Sequence, residues 1–445
     1  MQQDKEHPGA TRHCDVLVIG AGPAGATAGA LLARRGFDVT VLEKSRHPRF
    51  HIGESLLPAN LPLLERLGVG AAVREIGIRK YAAEFVSPQH EHLQRFLFAD
   101  AWDKSVPYAY HVRRSEFDAI LARNAVACGA TLIEGCRVKA VQLQDEGVRV
   151  EAEHDDGSRE QWQARFLIDA SGRDTFMANR LRAKHRNPHH NSSALYGHFT
   201  GARRNPGEAE GNITIYWFEH GWFWFIPLAD GATSVGAVTW PYYMRQRGGR
   251  ALDDFLLDTI ALCPPLAERL DDARLANQVE ATGNFSYTCD HTHGDRYILL
   301  GDAFAFIDPV FSSGVMLAMQ GAFFGAETVE RCLREPSGAR AALKRFDRRM
   351  RHGPREFSWF IYRMTSPTMR GLFMAPRNVL RVKEALLSLL SGDIYGKTPI
   401  WPSLYLFKLI YYLAAAYNWR TTLAAARARR RNIQPLDEGS GRAAA

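Results

Sequence analysis

The sequence predicts an α/β protein: a parallel, dinucleotide-binding sheet, an interleaved second β-sheet and a helical C-terminal region. Three observations carry this reading. Asp15-Val16-Leu17-Val18-Ile19 is a short apolar run leading straight into Gly20-Ala21-Gly22-Pro23-Ala24-Gly25, as a buried parallel strand entering a tight turn does. Trp222-Phe223-Trp224-Phe225-Ile226-Pro227 is an aromatic strand of a different kind. From about residue 337 the apolar residues take helical spacing. The expected divisions are 12–335, a nucleotide-binding core with an interleaved substrate subdomain; 336–432, a helical cap; and 433–445, a disordered tail.

The first unit is a complete Rossmann-type βαβ. A helix rich in small residues is expected over 24–34, and a second strand over 38–42 ends at Glu43. In G-x-G-x-x-G, Gly20 permits the tight turn, Gly22 lets the backbone approach a pyrophosphate, and Gly25 lets the helix pack closely. The helix start, with Ala24, adds partial positive charge. Glu43 would accept hydrogen bonds from a ribose diol, and Lys44 adjoins it.

Composition bounds the rest. The 445 residues are 46% hydrophobic, enough for a large core. The six cysteines include no Cys-x-x-Cys pair, so neither zinc nor a disulfide framework is expected, and a reducing cytoplasm is. Residues 1–13 are polar, so no secretory leader is expected. No apolar run reaches the ~20 residues that span a bilayer. The net charge is +8, with Arg427, Arg429, Arg430 and Arg431 close together. These arginines suit a solvated helix end, a docking patch for an acidic carrier protein, or peripheral contact with an anionic membrane through the C-terminal helix. No nucleic-acid-binding motif is present, so nucleic acid is not an expected partner. The arginines follow an apolar stretch, Leu404 to Leu413, broken by Lys408.

Three later segments turn the dinucleotide into FAD. Phe166-Leu167-Ile168-Asp169-Ala170-Ser171-Gly172 looks like the strand and turn that flavoprotein hydroxylases set beside the first unit. Tyr297-Ile298-Leu299-Leu300-Gly301-Asp302-Ala303 resembles their second flavin motif, whose Asp, here Asp302, binds the ribityl and pyrophosphate region. Tyr110 to Phe117 resembles the segment whose Arg, here Arg114, lies along the flavin. With only one G-x-G-x-x-G, the chain shows no second fold for NAD(P)H, so a separate flavin reductase is expected to supply reduced FAD.

Together with Trp-x-Trp-x-Ile-Pro at 222–227, these motifs resemble the flavin-dependent halogenases, within the hydroxylase-like (GR2) FAD-binding fold. The likeness covers roughly residues 12–335. Gly53-Glu54-Ser55-Leu56-Leu57-Pro58 looks like the family's strap across the flavin, Arg79-Lys80-Tyr81-Ala82-Ala83-Glu84-Phe85 like its lysine segment, and Phe306 to Gly314 like its halide loop. The resemblance implies that reduced FAD, oxygen and chloride or bromide give hypohalous acid, which Lys80 relays to an electron-rich aromatic. It implies halide contacts from Ser313 and Gly314, FAD contacts from Ser55 and Val138, and a plug of Trp222, Trp224, Ile226 and Pro227 between flavin and substrate. Read alone, Lys80 is a solvated lysine at a strand start. Arg79 is a poorer candidate, because a guanidinium stays protonated.

One departure bears on substrate. Tryptophan halogenases carry a Glu where Phe311 stands, so a phenol- or pyrrole-like ring, free or tethered to an acyl carrier protein, is expected rather than free tryptophan. Glu54 and His111 are candidate bases, each equally readable as structural. The setting implied is bacterial secondary metabolism. Two rivals share the motifs: a FAD monooxygenase or reductase of the same fold, and a catalytically silent flavoprotein scaffold.

Overall fold

The computed structural model describes residues 11–188, 190–283 and 286–433. Two eight-stranded sheets organise them; the chain visits the first three times and the second twice. In the first sheet Arg12–Ile19 lies between Val39–Glu43 and Arg159–Asp169, all parallel, with Val18 opposite both Val41 and Ile168. Tyr297–Leu299 and Thr131–Glu134 extend it in parallel on either side. Val16, Leu17 and Val18 are wholly buried, as strands covered on both faces must be. The expected helix over 24–34 is Pro23–Ala33. Its small residues let it press on the sheet: a Cβ on Gly29 would stand 3.1 Å from Val41.

The second sheet is mostly antiparallel. Thr233–Thr239, Gly221–Pro227 and Ile213–Phe218 form its centre, and Ala82–Val86 joins in parallel. Alternation along Gly221–Pro227 sends Trp222, Trp224 and Ile226 to one face, with Ile213, Ile215 and Phe311. Phe223 and Phe225 go to the other, against the helix Leu252–Ala261. Between the sheets, Ile78–Lys80 pairs antiparallel with Ala109–His111.

The C-terminal region is helical with different breaks from those expected. The charged helix foreseen over 341–350 runs from Ala339 to Ile361 and absorbs the aromatic stretch at 357–361. The helix foreseen over 377–391 is Val382–Leu390, because Leu380 and Arg381 take positive φ before it. The one foreseen over 403–430 is two helices, Trp401–Tyr417 and Trp419–Asn432, parted at Asn418. Met369, Phe373 and Met374 are core, as their spacing suggested. Phe373 packs against Phe85, Phe96 and Phe311, tying the helical region to the strand that follows Lys80. Among the described residues no helix is long and apolar enough to cross a membrane, and the six cysteines are free. The tail expected at 433–445 lies, after Ile433, outside the described residues.

Candidate active site

A cavity of about 460 Å³ opens between the two sheets. The turn after Arg12–Ile19 forms its floor. Gly20 has φ +94°, and a Cβ there would meet the Ala170 carbonyl oxygen at 2.5 Å. A Cβ on Gly25 would lie 1.9 Å from the Gly20 carbonyl oxygen, so Gly25 supports the turn from beneath and does not face the cavity. Gly22 and Ala24 line it, and the space above Gly22 is clear to 3.6 Å, where Arg49 Nη2 stands. Glu43 is buried on the cavity wall. Its carboxylate accepts from Ala21 N–H (2.7 Å) and Ser45 N–H (2.9 Å), which locks the turn to the second strand. Lys44 is ion-paired with Asp174, and both line the cavity.

Val138, Ser55, Arg114 and Asp302 complete the lining expected from sequence. Arg114 binds both carboxylate oxygens of Asp118 (2.8 and 3.0 Å) and the Ile52 carbonyl (2.7 Å). Loss of water raises the Asp302 carboxyl to about 6, against the pull of Arg114 and Arg173. An open glycine turn under a helix start, with acidic and basic groups along the wall, fits the FAD expected there.

Trp222, Trp224 and Ile226 also reach the cavity, whereas Pro227 does not. The two indoles lie 6.0 Å apart. Trp224 Nε1 donates to Ser234 Oγ at 3.2 Å, and its ring covers Gly236, where a Cβ would come within 2.2 Å.

At the cavity's other end, Ser312 turns the chain with φ +56° and Gly314 begins the helix Gly314–Arg334. Gly314 lines the cavity and Ser313 does not. Ser313 Oγ is nonetheless buried without a hydrogen-bond partner among the described residues. An orphaned hydroxyl at the start of a 21-residue helix suits a small anion.

Lys80 is not solvated. It is 1% exposed, and Nζ donates to Ser55 Oγ at 2.9 Å and lies 5.2 Å from the centre of the Phe98 ring. Burial alone lowers its pKa from 10.5 to about 7. It stands behind Ser55 and does not line the cavity. The strap holds this arrangement through Leu56 N–H to the Tyr110 carbonyl and Val112 N–H to the Glu54 carbonyl, both 2.9 Å. Buried His111, beside Lys80, is held neutral by desolvation and by the lysine's charge.

Two sets of partners in the site, His198 on one side and Ser192, His190 and Arg429 on the other, carried no sequence signal. Glu54, on the cavity wall, meets His198 Nε2 at 3.0 and 3.1 Å, which engages the carboxylate foreseen as a candidate base. Asp308 caps the Pro309–Phe311 turn through Val310 N–H (3.2 Å) and accepts from Ser192 Oγ (3.2 Å) and His190 Nε2 (2.9 Å). Arg429 donates to His190 Nδ1 at 3.2 Å, so the C-terminal helix reaches the loop through one imidazole. Arg49 was legible in principle, in the basic run that follows Glu43.

Comparison with known proteins fits this geometry. The profile of the family described as FAD binding domain matches residues 13–351. A flavin-dependent halogenase of Armillaria mellea, armH3, is 35% identical over 346 residues, 72% of this chain and 68% of that protein. The chain belongs to the flavin-dependent halogenase family. The tryptophan 2-halogenase of Chondromyces crocatus is 37% identical over 323 residues, 71% of this chain, and the chain spans only 60% of that protein's length. A 1H-pyrrole-2-carbonyl-(peptidyl-carrier protein) chlorinase of Pseudomonas fluorescens is 28% identical over 86% of this chain and 90% of its own. Among solved structures, the myxobacterial chondrochloren halogenase CndH superposes with a TM-score of 0.76 at 28% identity, over 96% of this chain and 98% of that one. The FAD-binding halogenase fold is thus the fold of this chain, with the helical C-terminal region as part of it.

Proposed function

We propose that this protein is a FAD-dependent halogenase that passes hypohalous acid through Lys80 to an electron-rich aromatic ring. Bound reduced FAD would activate oxygen, and the oxygen would supply the two-electron oxidation of halide to hypohalous acid, with two further electrons from the flavin going to water. The glycine turn, Glu43, Lys44, Ser55, Arg114, Val138 and Asp302 are the residues that would hold it. Ser313 Oγ and the amide of Gly314 would bind chloride or bromide at the helix start.

The observation that carries the reading is Lys80: a wholly buried amine with a pKa near 7, one hydroxyl away from the cavity. A neutral amine can hold hypohalous acid by hydrogen bond, or exchange a proton for the halogen and release water; an ammonium can still donate a hydrogen bond but has no lone pair with which to take the halogen. Trp222, Trp224 and Ile226 close the cavity's apolar side, which keeps an organic substrate from the oxidising centre. Reduced flavin would come from a separate reductase.

For substrate, Phe311 offers no carboxylate, which supports a phenol- or pyrrole-like ring activated by its own heteroatom. The carrier-bound pyrrole of the Pseudomonas fluorescens relative supports a tethered acyl group. The Chondromyces crocatus relative, a tryptophan 2-halogenase, supports free tryptophan as a second reading. Protein with FAD, an unrelated flavin reductase, NADH, catalase and bromide or chloride is offered phenols, free and carrier-bound pyrroles, and tryptophan, and products are read by isotope pattern. Halogenated phenol or pyrrole is expected. Halogenated tryptophan alone would reverse the substrate reading, and hydroxylated product indifferent to halide would replace the halogenase with a monooxygenase.

A further inference from the structure

The two last helices, Trp401–Tyr417 and Trp419–Asn432, divide their residues sharply. Inward, Leu404, Phe407 and Tyr411 are buried in the core shared with the tryptophan strand, and Arg429 reaches His190. Outward, large apolar side chains stand in water. Tyr405, Leu413 and Tyr417 are 60%, 62% and 88% exposed, and Leu409, Trp419 and Leu423 are also exposed. Positions 405, 409, 412, 413, 416 and 417 repeat every three or four residues, so they form one stripe along the first helix. Leu423 and Trp419 carry the stripe into the second. Other exposed large apolar residues are mostly scattered singly over the surface, which needs no explanation.

Charge on the same segment is one-sided. Residues 401–432 contain no Asp or Glu, and their cations are Lys408, Arg420, Arg427, Arg429, Arg430 and Arg431. Lys408 is neutralised by Glu356 at 2.9 Å, and Arg429 points inward. Arg420, Arg427, Arg430 and Arg431 remain exposed, the first beside Trp419 within the apolar stripe and the other three beyond Leu423 at its end.

We infer that this face lies on an anionic lipid surface. Three features favour lipid over a folded partner. The apolar groups project outward from two helices, and Tyr405, Leu409, Tyr412, Leu413, Tyr417 and Trp419 are each more than half exposed, so a deformable phase that can close around them suits them. They are dominated by Tyr, Trp and Leu, whose amphipathic rings and branched chains settle at the headgroup boundary. The arginines adjoin the stripe without any acidic residue, as juxtamembrane basic segments do on anionic lipid. Neither helix would span the bilayer; both would lie in its plane. The core-facing side, including the Arg429–His190–Asp308 link, would keep its contacts. The inference stands apart from the reaction chemistry and survives a different substrate.

The test uses the full FAD-loaded chain in co-sedimentation with vesicles of phosphatidylglycerol and phosphatidylcholine, against pure phosphatidylcholine. Binding to the anionic vesicles is expected to exceed that to neutral ones by at least tenfold. Leu413→Ser with Tyr417→Ser, and separately Arg420→Glu with Arg427→Glu, should each weaken it by tenfold or more while retaining bound flavin, since all four side chains are exposed. Absence of binding by flavin-loaded wild type would overturn the inference. So would binding that ignores the Ser variants, which would mark charge attraction alone. Two further outcomes would also overturn it: capture of an acidic carrier protein, or concentration-dependent dimerisation in ultracentrifugation, that the Ser variants abolish while wild type ignores vesicles.

Discussion

Lys80 makes its two predictions at the scale of one residue. Its folded pKa, near 7, lies below the ordinary value of 10.5. Between those values the unfolded chain binds the extra proton, so stability rises with pH across that window and levels off above it. Replacing Lys80 by Met removes the penalty. Lys80→Met should therefore melt higher than wild type at pH 7, by an advantage that shrinks by at most about 1.4 kcal/mol per pH unit toward pH 10. The halogenation rate at saturating substrate should climb through an apparent pKa near 7 as the amine loses its proton, and pH profiles against halide and substrate will show it. Ser313 gives a third residue-level prediction. Its hydroxyl is buried without a protein partner, so Ser313→Ala should leave thermal stability in halide-free buffer unchanged or raised. The same variant should raise the halide KM several-fold with little change in flavin affinity. Steady-state kinetics over a halide series, beside a melting curve, separates the two. The roles of Lys80 and Ser313 were expected from the resemblance, but the burial of neither group was legible locally. A lysine between Arg79 and Tyr81 reads as solvated, and its burial is made by Ser55 and the Ala109–His111 strand, which lie elsewhere in the sequence.

Elements were more readable, because their signals are local. The strand, glycine turn and small-residue helix of residues 12–43 appear as expected, and so does the alternation of Trp222, Trp224 and Ile226 against Phe223 and Phe225. The strand makes a prediction of its own. Trp224 has room only because position 236 lacks a Cβ. Gly236→Ala should shift the indole and cost about 1–3 kcal/mol, the usual range for overpacking. It should also open the cavity's apolar wall and raise the yield of hydroxylated or unhalogenated product, measured by mass spectrometry beside thermal melting. Beneath the first turn, Gly25→Ala would drive a methyl into the Gly20 carbonyl, and flavin retained through gel filtration should fall to a small fraction of wild type. The break at Asn418 was missed because nothing in the apolar spacing of 403–430 interrupts there; the backbone leaves helical geometry with φ −95° and ψ 35°.

Across the whole molecule, interleaving is what makes the site. The chain leaves the first sheet twice and returns each time, so the glycine-turn floor, the tryptophan wall and the Ser312–Gly314 turn come from distant segments and meet in one cavity. Sequence could place each motif but not the bonds between them: Glu54 with His198, and Arg429 through His190 to Asp308, join residues more than a hundred positions apart with no shared pattern. The latter link ties the C-terminal helix to the loop that precedes Ser313. Arg429→Ala should accordingly raise the halide KM more than it changes the KM for the aromatic substrate, and Arg429→Lys should restore part of it. The central claim is that Lys80 delivers the halogen, and the direct measurement compares flavin-loaded wild type and Lys80→Met for halogenated product in the reductase-coupled assay. The expected result is halide-dependent product from wild type and none from a Lys80→Met protein that keeps its flavin and melts no lower. Halogenation by Lys80→Met at the wild-type rate would contradict the account.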